Sequence, residues 1–501
     1  MWAAYLLSFA MGFISLSQEI LWVRYFGFAN QSLPQAFAFV LAVYLVGIAL
    51  GARVGKWVCG TYKNLWEISG YVLLAASFYD LFSPWIYAHS IYLSSQIAIA
   101  GVLILLTAAF KAIIFPIAHH LGAPAIAGRV GRSVSRVYVA NIIGATLGPF
   151  ITGMILLDVL STQNCFFVFA ISTLLVALFC LYEKLLIIEK VFISILVVIL
   201  SGFVLIQQPQ ALMQRVAAGS GIKYMVENRH GIVTVYNQQE GGDVVFGGNV
   251  YDGRTNLDPI VNTNGINRVL VLSVLQDKPK HVLLIGLSIG TWLKLLTSFP
   301  GIEQIDVVEI NPGYLEAMRH YPAQYSALSD PRVHLYIDDG RRWLRNHRDQ
   351  QYDLIVMNTT WHWRAYATSL LSREFLVLAK QHLNAGGVMA YNSTDSLSVL
   401  KTAAAVFEHA YPYENFVVAA DFDWRPRLRT EAAVNKLMSL RLDGKPLFPV
   451  GSEAFARYYL NESTILDPGI QRLFNLAGRE GGIITDRNLL TEYKLGRRLI
   501  Q

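Results

Sequence analysis

Long apolar runs dominate the first 210 residues, and few polar side chains interrupt them. Seven of these runs reach about 17–25 residues, the length that an α-helix needs to cross the hydrocarbon core of a bilayer. They are Trp2–Val23, Pro34–Val58, Ile68–Ala88, Ser95–Ala118, Val137–Leu157, Cys165–Tyr182 and Lys190–Ile206. Glycines four residues apart, at Gly47 and Gly51 and at Gly144 and Gly148, let helix backbones approach closely. The pattern predicts a packed α-helical membrane bundle of about seven transmembrane helices.

After residue 210 the pattern changes to short apolar strands that alternate with helices. Ile232–Tyr236 and Val244–Tyr251, with glycines around them, predict a small antiparallel unit. Further strands are predicted at His281–Ile285, Gln304–Ile310, Val333–Ile337, Tyr352–Met357 and Val388–Tyr391, and helices at Thr291–Phe299, from Pro312, at Arg341–Asn346 and at Ser369–Leu383. Nearly continuous apolar strands separated by helices favour an α/β doubly wound, mainly parallel sheet.

Composition supports this division of the chain. The chain is 54% hydrophobic and 15% charged, but residues 1–210 hold only 16 charged side chains, whereas residues 211–501 hold 60. We therefore predict a polytopic membrane domain at 1–210, a linker with a small β-hairpin unit at 211–260, and a Rossmann-like domain at 261–501. The split excludes a single globular domain, and the absence of a Lys/Arg cluster with interleaved aromatics argues against a nucleic-acid partner. The expected partner of the first part is the lipid bilayer.

The distribution of basic residues in the predicted loops bears on orientation. Eight Lys/Arg residues fall on one side (Arg53, Lys56, Lys63, Arg129, Arg132, Arg136, Lys184 and Lys190) and Arg24 alone on the other. Under the positive-inside rule the amino terminus is cytoplasmic, and an odd number of spans then places the second half outside the inner membrane. Asp80 and Lys111 lie inside apolar runs, where charge is costly, so they form either a buried pair or a polar transport path.

Polar residues follow successive strands of the predicted sheet, where ligands of such sheets bind. Gly286-Leu287-Ser288-Ile289-Gly290 follows the first strand and allows a tight turn into a helix. Glu309 ends the second strand, where a carboxylate can bridge two ribose hydroxyls, and Asp339 follows the third, where it can accept from an adenine amino group. Gly286, Ser288, Gly290, Glu309 and Asp339 together predict a nucleoside pocket, against helix caps or loop charges as the alternative.

Several motifs resemble a known family. HVLLIGLSIGTWLKLL, DVVEIN, DPRVHLYIDDGRRWL and YDLIVMN resemble the nucleotide-binding core of spermidine synthases, the polyamine aminopropyltransferases, and GGNVYDGR resembles the hairpin before that core. LSQEILWVRYFG, LVGIALGARVG, SRVYVANIIGATLGPFITGMILL and the tail ITDRNLLTEYKLG are similar to bacterial membrane proteins that fuse such a domain to a helical bundle. The resemblance implies S-adenosylmethionine or decarboxylated S-adenosylmethionine as cosubstrate, held by Gly286, Gly290, Glu309 and Asp339, and no metal.

The sequence departs from the family at the positions that handle the polyamine. The family has an Asp in the first glycine loop, where Ile289 stands, and Asp-Ser-x-Asp-Pro after the fourth strand, where Asn358 and Trp361 replace both Asp residues. Its Tyr-His-Glu stretch is also absent, and Asn264–Arg268 (NGINR) lies there. A polyamine is a multiple cation whose attacking amine must lose a proton, and Asn358 cannot take that proton. An ordinary polyamine is therefore not the expected acceptor.

Three residues are the candidates for catalysis. Asn358 lies beside the expected ligand, His362 is a candidate base, and Arg364 is suited to grip an anionic substrate; the alternative is a helix cap and a surface charge. We predict a membrane-bound transferase, transferring an aminopropyl or methyl group to a small-molecule or protein acceptor. One alternative is a non-catalytic binding or assembly protein with a degenerate domain on the outer side. A further alternative is a transporter-like bundle with a regulatory nucleoside-binding domain.

Overall fold

Long helices form the N-terminal part of the chain. The structure is a computed structural model that describes residues 2–122, 130–182, 202, 208–276, 278–358, 361–394, 396–461, 482–488 and 492. The long helices in this range are Trp2–Ala29, Pro34–Thr61, Leu65–Ser90, Gln96–Gly122, Val130–Ile151 and Thr162–Leu181, and the fifth continues through a π-helical turn, Thr152–Leu156, into Leu157–Val159. A short helix, Ala211–Arg215, follows.

Five of these helical segments are long and apolar enough to cross a membrane: Trp2–Ala29, Pro34–Thr61, Gln96–Gly122, Val134–Val159 and Thr162–Leu181. Seven spans are therefore not confirmed. The third run is helical as expected, but Leu65–Ser90 is not among the five, since its serines, tyrosines and two carboxylates lower its mean hydropathy. The seventh run, Lys190–Ile206, lies outside the described residues apart from Gly202.

The glycine pairs mark the closest helix contacts, as the sequence predicts. A Cβ on Gly51 would overlap the carbonyl of Ala109 in the fourth helix, and one on Gly148 would overlap the carbonyl of Phe13 in the first. Lys111 and Asp80 form an ion pair inside this bundle, with side chains at most 1% exposed, and the Thr173 hydroxyl donates to the same Asp80 carboxylate at 3.4 Å. The structure thus contains the buried pair that was one of the two interpretations of these charges.

Packing divides the chain near Ala218, eight residues beyond the boundary predicted at residue 210. The second unit begins with an antiparallel sheet of four strands in sequential order: β1 (Ile222–Asn228), β2 (Gly231–Tyr236), β3 (Val244–Gly247) and β4 (Val250–Arg254). The small antiparallel unit predicted from Ile232–Tyr236 and Val244–Tyr251 is present, and the second of these segments is divided between β3 and β4. Gly248 and Asn249 both have positive φ, +57° and +67°, and the chain reverses there in a tight hairpin.

The main sheet of the second unit has seven strands. They are β5 (His281–Ile285), β6 (Gln304–Glu309), β7 (Val333–Ile337), β8 (Tyr352–Met357), β9 (Leu383–Asn392), β10 (His409–Tyr413) and β11 (Phe416–Ala420), in the order β10-β11-β9-β8-β5-β6-β7. β5 to β9 are parallel, and β10 and β11 are antiparallel. The predicted mainly parallel, doubly wound sheet is confirmed. A two-stranded ribbon, β12 (Arg441–Leu442) and β13 (Lys445–Pro446), lies outside it.

Helices cover both faces of this sheet. Along β5, Val282 and Leu284 belong to one buried apolar cluster, and Leu283 and Ile285 belong to another. The helical segments are Asn267–Leu270, Leu272–Leu275, Thr291–Leu296, Gly313–Met318, Pro322–Tyr325, Ser326–Ser329, Gly340–Asn346, Ala367–Leu370, Arg373–Gln381, Leu397–Ala404, Arg425–Leu428, Glu431–Ser439 and Glu453–Tyr459. The helix expected over Ser369–Leu383 is shorter, because the Ser372 hydroxyl caps it by accepting from the Phe375 N–H at 3.2 Å.

Candidate functional site

An open cleft lies where the strand order reverses, between the carboxyl ends of β5 and β8. The space between its walls is about 600 Å³ when open solvent is included. The described residues that line it are Tyr251, Asp252, Gly253, Arg254, Asn264, Arg268, Leu287, Ser288, Ile289, Thr291, Trp292, Asn358, Trp361, Asn392, Thr394 and Asn415. Doubly wound sheets bind ligands at such a switch point. Ser288 and Asn358 are the two predicted site residues that the structure brings together on this lining.

The glycine loop after β5 has a backbone that only glycine adopts without strain. Gly286 and Gly290 have φ of +90° and +82°. A Cβ on Gly286 would lie 2.7 Å from the Asn358 carbonyl oxygen, so glycine there lets the ends of β5 and β8 approach. Ser288 has φ +49°, a conformation uncommon outside glycine, and its side chain points toward the hairpin.

Strand β4 is tied to this loop. The Ser288 hydroxyl donates to the Asp252 carbonyl at 3.5 Å, and the Thr291 hydroxyl donates to the Arg254 carbonyl at 2.7 Å. The side chain of Asn264 accepts from the Arg254 backbone N–H at 2.8 Å. The hairpin therefore forms one wall of the cleft.

Glu309, predicted to hold a ribose, supports the glycine loop. Its carboxylate accepts from the Leu287 N–H and the Asn311 N–H, both at 2.7 Å. Burial raises the pKa of Glu309 to about 7, although these hydrogen bonds oppose the shift. The Ser288 N–H also donates a hydrogen bond to this carboxylate. A carboxylate has about four acceptor positions, so capacity for one further hydrogen bond remains.

Asp339 caps the helix Gly340–Asn346 by accepting from the Arg342 N–H at 2.7 Å. Neither Glu309 nor Asp339 lines the cleft, because Glu309 ends β6 and Asp339 follows β7. Between them the apolar side chains of Ile310 and Ile337 are 54% and 46% exposed, with Ile337 directly opposite Glu309 in the β6–β7 pairing. These residues therefore lie at the carboxyl ends of neighbouring strands, outside the lining of the cleft.

The three predicted catalytic residues have different environments. The Asn358 side-chain oxygen accepts from the Asn392 amide at 3.3 Å and faces the cleft. His362 is buried, with Nδ1 2.6 Å from the Thr394 hydroxyl, and Thr394 lines the cleft in front of it. Arg364 is not on the lining; burial lowers its pKa, and the nearby Asp252 and Tyr314 oppose that effect.

Asp252 is a site residue that the sequence reasoning missed. It is the one carboxylate on the described lining of the cleft. Burial raises its pKa, while hydrogen bonds from Tyr314 and Ser288 and the positive charge of Arg364 counteract part of the shift. In the sequence it stands in Asp-Gly near the end of a hairpin strand, where the pair is typical of a turn.

Arg268 was also missed, although NGINR had been singled out. Its guanidinium donates to the side-chain oxygens of Asn392 at 3.0 Å and Asn415 at 2.8 Å, and to the carbonyls of Asn264 and Gly265 at 3.0 and 2.8 Å. Asn392 and Asn415 come from distant parts of the chain, so local spacing does not reveal the arrangement. Within the described residues, no group of three His, Cys, Asp or Glu side chains is placed to hold a metal.

The family model for the spermine/spermidine synthase domain matches residues 268–417. The C-terminal part of the chain carries a spermine/spermidine synthase domain. The matched residues begin at Arg268 on the cleft and contain the glycine loop, Glu309, Asp339 and Asn358. The resemblance inferred from the sequence is confirmed for this part.

Relatives of the spermine/spermidine synthase domain match only in part. The chain is 36% identical over 124 residues to the polyamine aminopropyltransferase of Streptococcus pneumoniae, which covers 25% of this chain and 43% of the relative. The chain thus spans less than half the length of that relative. A spermidine synthase solved with the transition state analogue AdoDATO gives a TM-score of 0.42 at 17% identity, covering 51% of this chain and 89% of the other. Human methyltransferase-like protein 13, solved in complex with SAH, gives a TM-score of 0.28 at 20% identity, and the match covers 39% of this chain and 90% of the other.

Proposed function

We propose that this protein is a membrane-anchored transferase that uses S-adenosylmethionine or decarboxylated S-adenosylmethionine and an acceptor other than an ordinary polyamine. The cleft at the switch point carries the proposal, because the glycine loop, strand β4 and Asn358 converge there. The spermine/spermidine synthase domain supports the transferase class, since the matched relative is named as an aminopropyltransferase.

The residues around Glu309 fit an adenosyl group. The exposed side chains of Ile310 and Ile337 offer apolar contact to a purine ring, and the remaining acceptor position of Glu309 suits a ribose hydroxyl. When bound, the cosubstrate would supply an electrophilic carbon on a sulfonium, which the acceptor's lone pair attacks while the C–S electron pair stays on sulfur. The chain's part is to align the two ligands and to accept the acceptor's proton.

Two groups are suited to accept that proton. Asp252 faces the cleft, and its raised pKa makes its carboxylate a stronger base than an exposed Asp. The His362 ring contacts the Thr394 hydroxyl. Because Thr394 lines the cleft, its hydroxyl connects the imidazole to the cleft. Asn358 orients the acceptor by hydrogen bonding, because an amide is not a base at neutral pH.

The membrane helices serve as the anchor in this proposal. Five helices with the length and hydropathy of spans support a multi-pass protein of the inner membrane. We place the transferase unit on the cytoplasmic side, because adenosyl sulfonium compounds are cytoplasmic metabolites. The buried Asp80–Lys111 pair has the low exposure of a structural element of the anchor.

Ligand binding by the full-length protein in detergent tests the proposal. Titration calorimetry with S-adenosylmethionine, decarboxylated S-adenosylmethionine and 5′-methylthioadenosine is expected to show binding of at least one of them. Glu309→Gln, which replaces one acceptor oxygen by an amide, is expected to weaken binding by roughly tenfold. Glu303→Gln is the matched control, since Glu303 forms an exposed ion pair with Lys280 just before the other end of the same strand. A folded protein that binds none of the three compounds contradicts the proposal.

A further inference from the structure

The charge on the cleft lining has the opposite sign from that of a site for polycations. Among the described lining residues, the charged side chains are Arg254, Arg268 and Asp252, which gives an excess of one positive charge. The other polar side chains include four neutral amides: Asn264, Asn358, Asn392 and Asn415. A site that binds an ammonium group requires carboxylates or a concentration of acceptor oxygens, and here the guanidinium groups compete for those oxygens.

The guanidinium of Arg268 is held in place before any ligand arrives. It lies over the rings of Trp292 and Phe416, at 5.4 and 4.9 Å from their centres. The four oxygens that it contacts are amide or backbone carbonyl oxygens and carry no formal charge. Glu414 contributes a nearby negative charge, but this carboxylate accepts from the Asn267 amide at 2.6 Å and does not line the cleft. Arg268 is therefore a half-buried cation whose described hydrogen-bond partners are uncharged dipoles.

Arg254 and Asp252 complete the lining charge. Arg254 lies at the end of β4 and is hydrogen-bonded to the Tyr251 phenol on the same strand. Asp252 is already engaged by Tyr314 and Ser288, and Arg364 is close enough to affect its charge. The one carboxylate of the lining is thus compensated from within the protein, while neither Arg254 nor Arg268 has an ion pair with a carboxylate in the described part of the chain.

We propose that the cleft binds an acceptor that carries an anionic group, a carboxylate or an equivalent oxyanion, against Arg268 and Arg254. This inference rests on the proposed transferase function and names the substrate class for it. An oxyanion supplies the charge that the dipoles around Arg268 do not, and planar guanidinium groups match the geometry of carboxylates. The same field repels polyamines, so the cleft selects against the substrates of the polyamine aminopropyltransferases.

A matched pair of probes tests the charge preference. 4-Aminobutanoate and putrescine have the same four-carbon backbone and differ in whether a carboxylate or an ammonium group ends it. Both are titrated into the full-length protein in detergent, with and without saturating 5′-methylthioadenosine, and binding is measured by calorimetry. The expected result is binding of 4-aminobutanoate at least roughly tenfold tighter than that of putrescine.

Three variants locate the effect in the cleft. Arg268→Gln and Arg254→Gln are each expected to weaken 4-aminobutanoate binding by roughly tenfold while leaving 5′-methylthioadenosine binding in place. Arg268 holds four oxygens from several segments together, so the Arg254 variant keeps the test valid if loss of Arg268 prevents folding. Asn358→Asp adds a carboxylate to the lining and is expected to shift the preference toward putrescine. Arg457→Gln is the control, since this arginine pairs with Glu431 on the surface.

The outcomes separate the two proposals. The anionic acceptor is overturned if putrescine binds more tightly than 4-aminobutanoate. It is also overturned if the Arg254 and Arg457 variants bind 4-aminobutanoate with equal affinity. In either case the transferase proposal still stands if 5′-methylthioadenosine binds. Binding of neither amine probe to a protein that binds 5′-methylthioadenosine also overturns it. Arginine-dependent binding of 4-aminobutanoate without binding of any adenosyl compound supports the anion site and contradicts the transferase.

Discussion

At the scale of single residues, Glu309 supports the glycine loop and is the residue that we propose to hold the ribose. Its carboxylate holds the Leu287 and Asn311 amides and lies beside the exposed Ile337. The sequence was sufficient to propose Glu309 as a site residue, because an acidic residue at the end of a second strand has a recognisable chemistry, and its role stays a prediction. It was not sufficient for Asp252, whose burial depends on Tyr314 and on the loop folding over β4.

The raised pKa of Glu309 predicts a pH dependence of stability. The folded state keeps the proton up to about pH 7, whereas the unfolded chain releases it near 4.5. The stabilising contribution is therefore complete below pH 4.5 and is lost as the pH rises through 7, by about 3 kcal/mol in total. Thermal unfolding of the wild type and of Glu309→Gln between about pH 5 and pH 8 measures it. We expect the wild-type midpoint to fall relative to that of the variant as the pH rises; parallel curves would exclude the effect.

At the scale of elements, the glycines of the membrane helices determine which helices touch. Gly51 and Gly60 lie in the same helix, but only Gly51 faces a backbone, that of Ala109; nothing lies within 4 Å of a Cβ built on Gly60. Glycine pairs four residues apart were sufficient to predict close packing. The partner helices were not predictable, because apolar helices of similar composition offer no pairing signal in the sequence.

Alanine substitution at these two glycines tests the contact. Gly51→Ala is expected to destabilise the bundle by about 1–3 kcal/mol, because the added methyl group must push the fourth helix away. Gly60→Ala is expected to be neutral or to stabilise by up to about 1 kcal/mol, since alanine is the better helix former. Thermal unfolding in the same detergent measures both. Equal midpoints for the two variants would argue that the helices do not approach at Gly51.

The parallel strands of the main sheet were predictable, and the position of the turn in the β3–β4 hairpin was not. His281–Ile285, Val333–Ile337 and Tyr352–Met357 have the predicted bounds, because buried parallel strands are continuous apolar runs. Val244–Tyr251 also looks continuous, and the turn depends on positive φ at Gly248 and Asn249. β10 and β11 were not predicted at all, since they pair antiparallel at the edge with mixed sequences such as HAYPY.

At the scale of the whole molecule, the main question is which side of the membrane holds the transferase unit. Under the positive-inside rule the bias of basic residues predicts a cytoplasmic amino terminus, and a cytoplasmic transferase would then require an even number of crossings. Five described helices meet the length and hydropathy of a span, and Leu65–Ser90 matches them in length alone. The sequence predicted the class of each half from composition, but not the number of crossings, because a polar helix inside a bundle has no continuous apolar run.

Reporter fusions after Gln501 determine the side. A green fluorescent protein fusion is expected to fluoresce and an alkaline phosphatase fusion at the same position is expected to be inactive, because each reporter folds on one side only. Fusions at the amino terminus are the control for the loop count. Phosphatase activity after Gln501 would place the unit outside, away from adenosyl sulfonium compounds, and would favour the non-catalytic binding or assembly protein.

Strand β4 has a consequence for kinetics. It carries Asp252 and Arg254 on the lining of the cleft, where we propose that the acceptor binds, and through Ser288 and Thr291 it is hydrogen-bonded to the glycine loop, where we propose that the nucleoside binds. A ligand that orders the loop therefore also orders the wall against which the other ligand rests. Binding of the two substrates should be thermodynamically linked, each tightening the other by the same factor, and steady-state data should fit an ordered or synergistic scheme better than two independent sites.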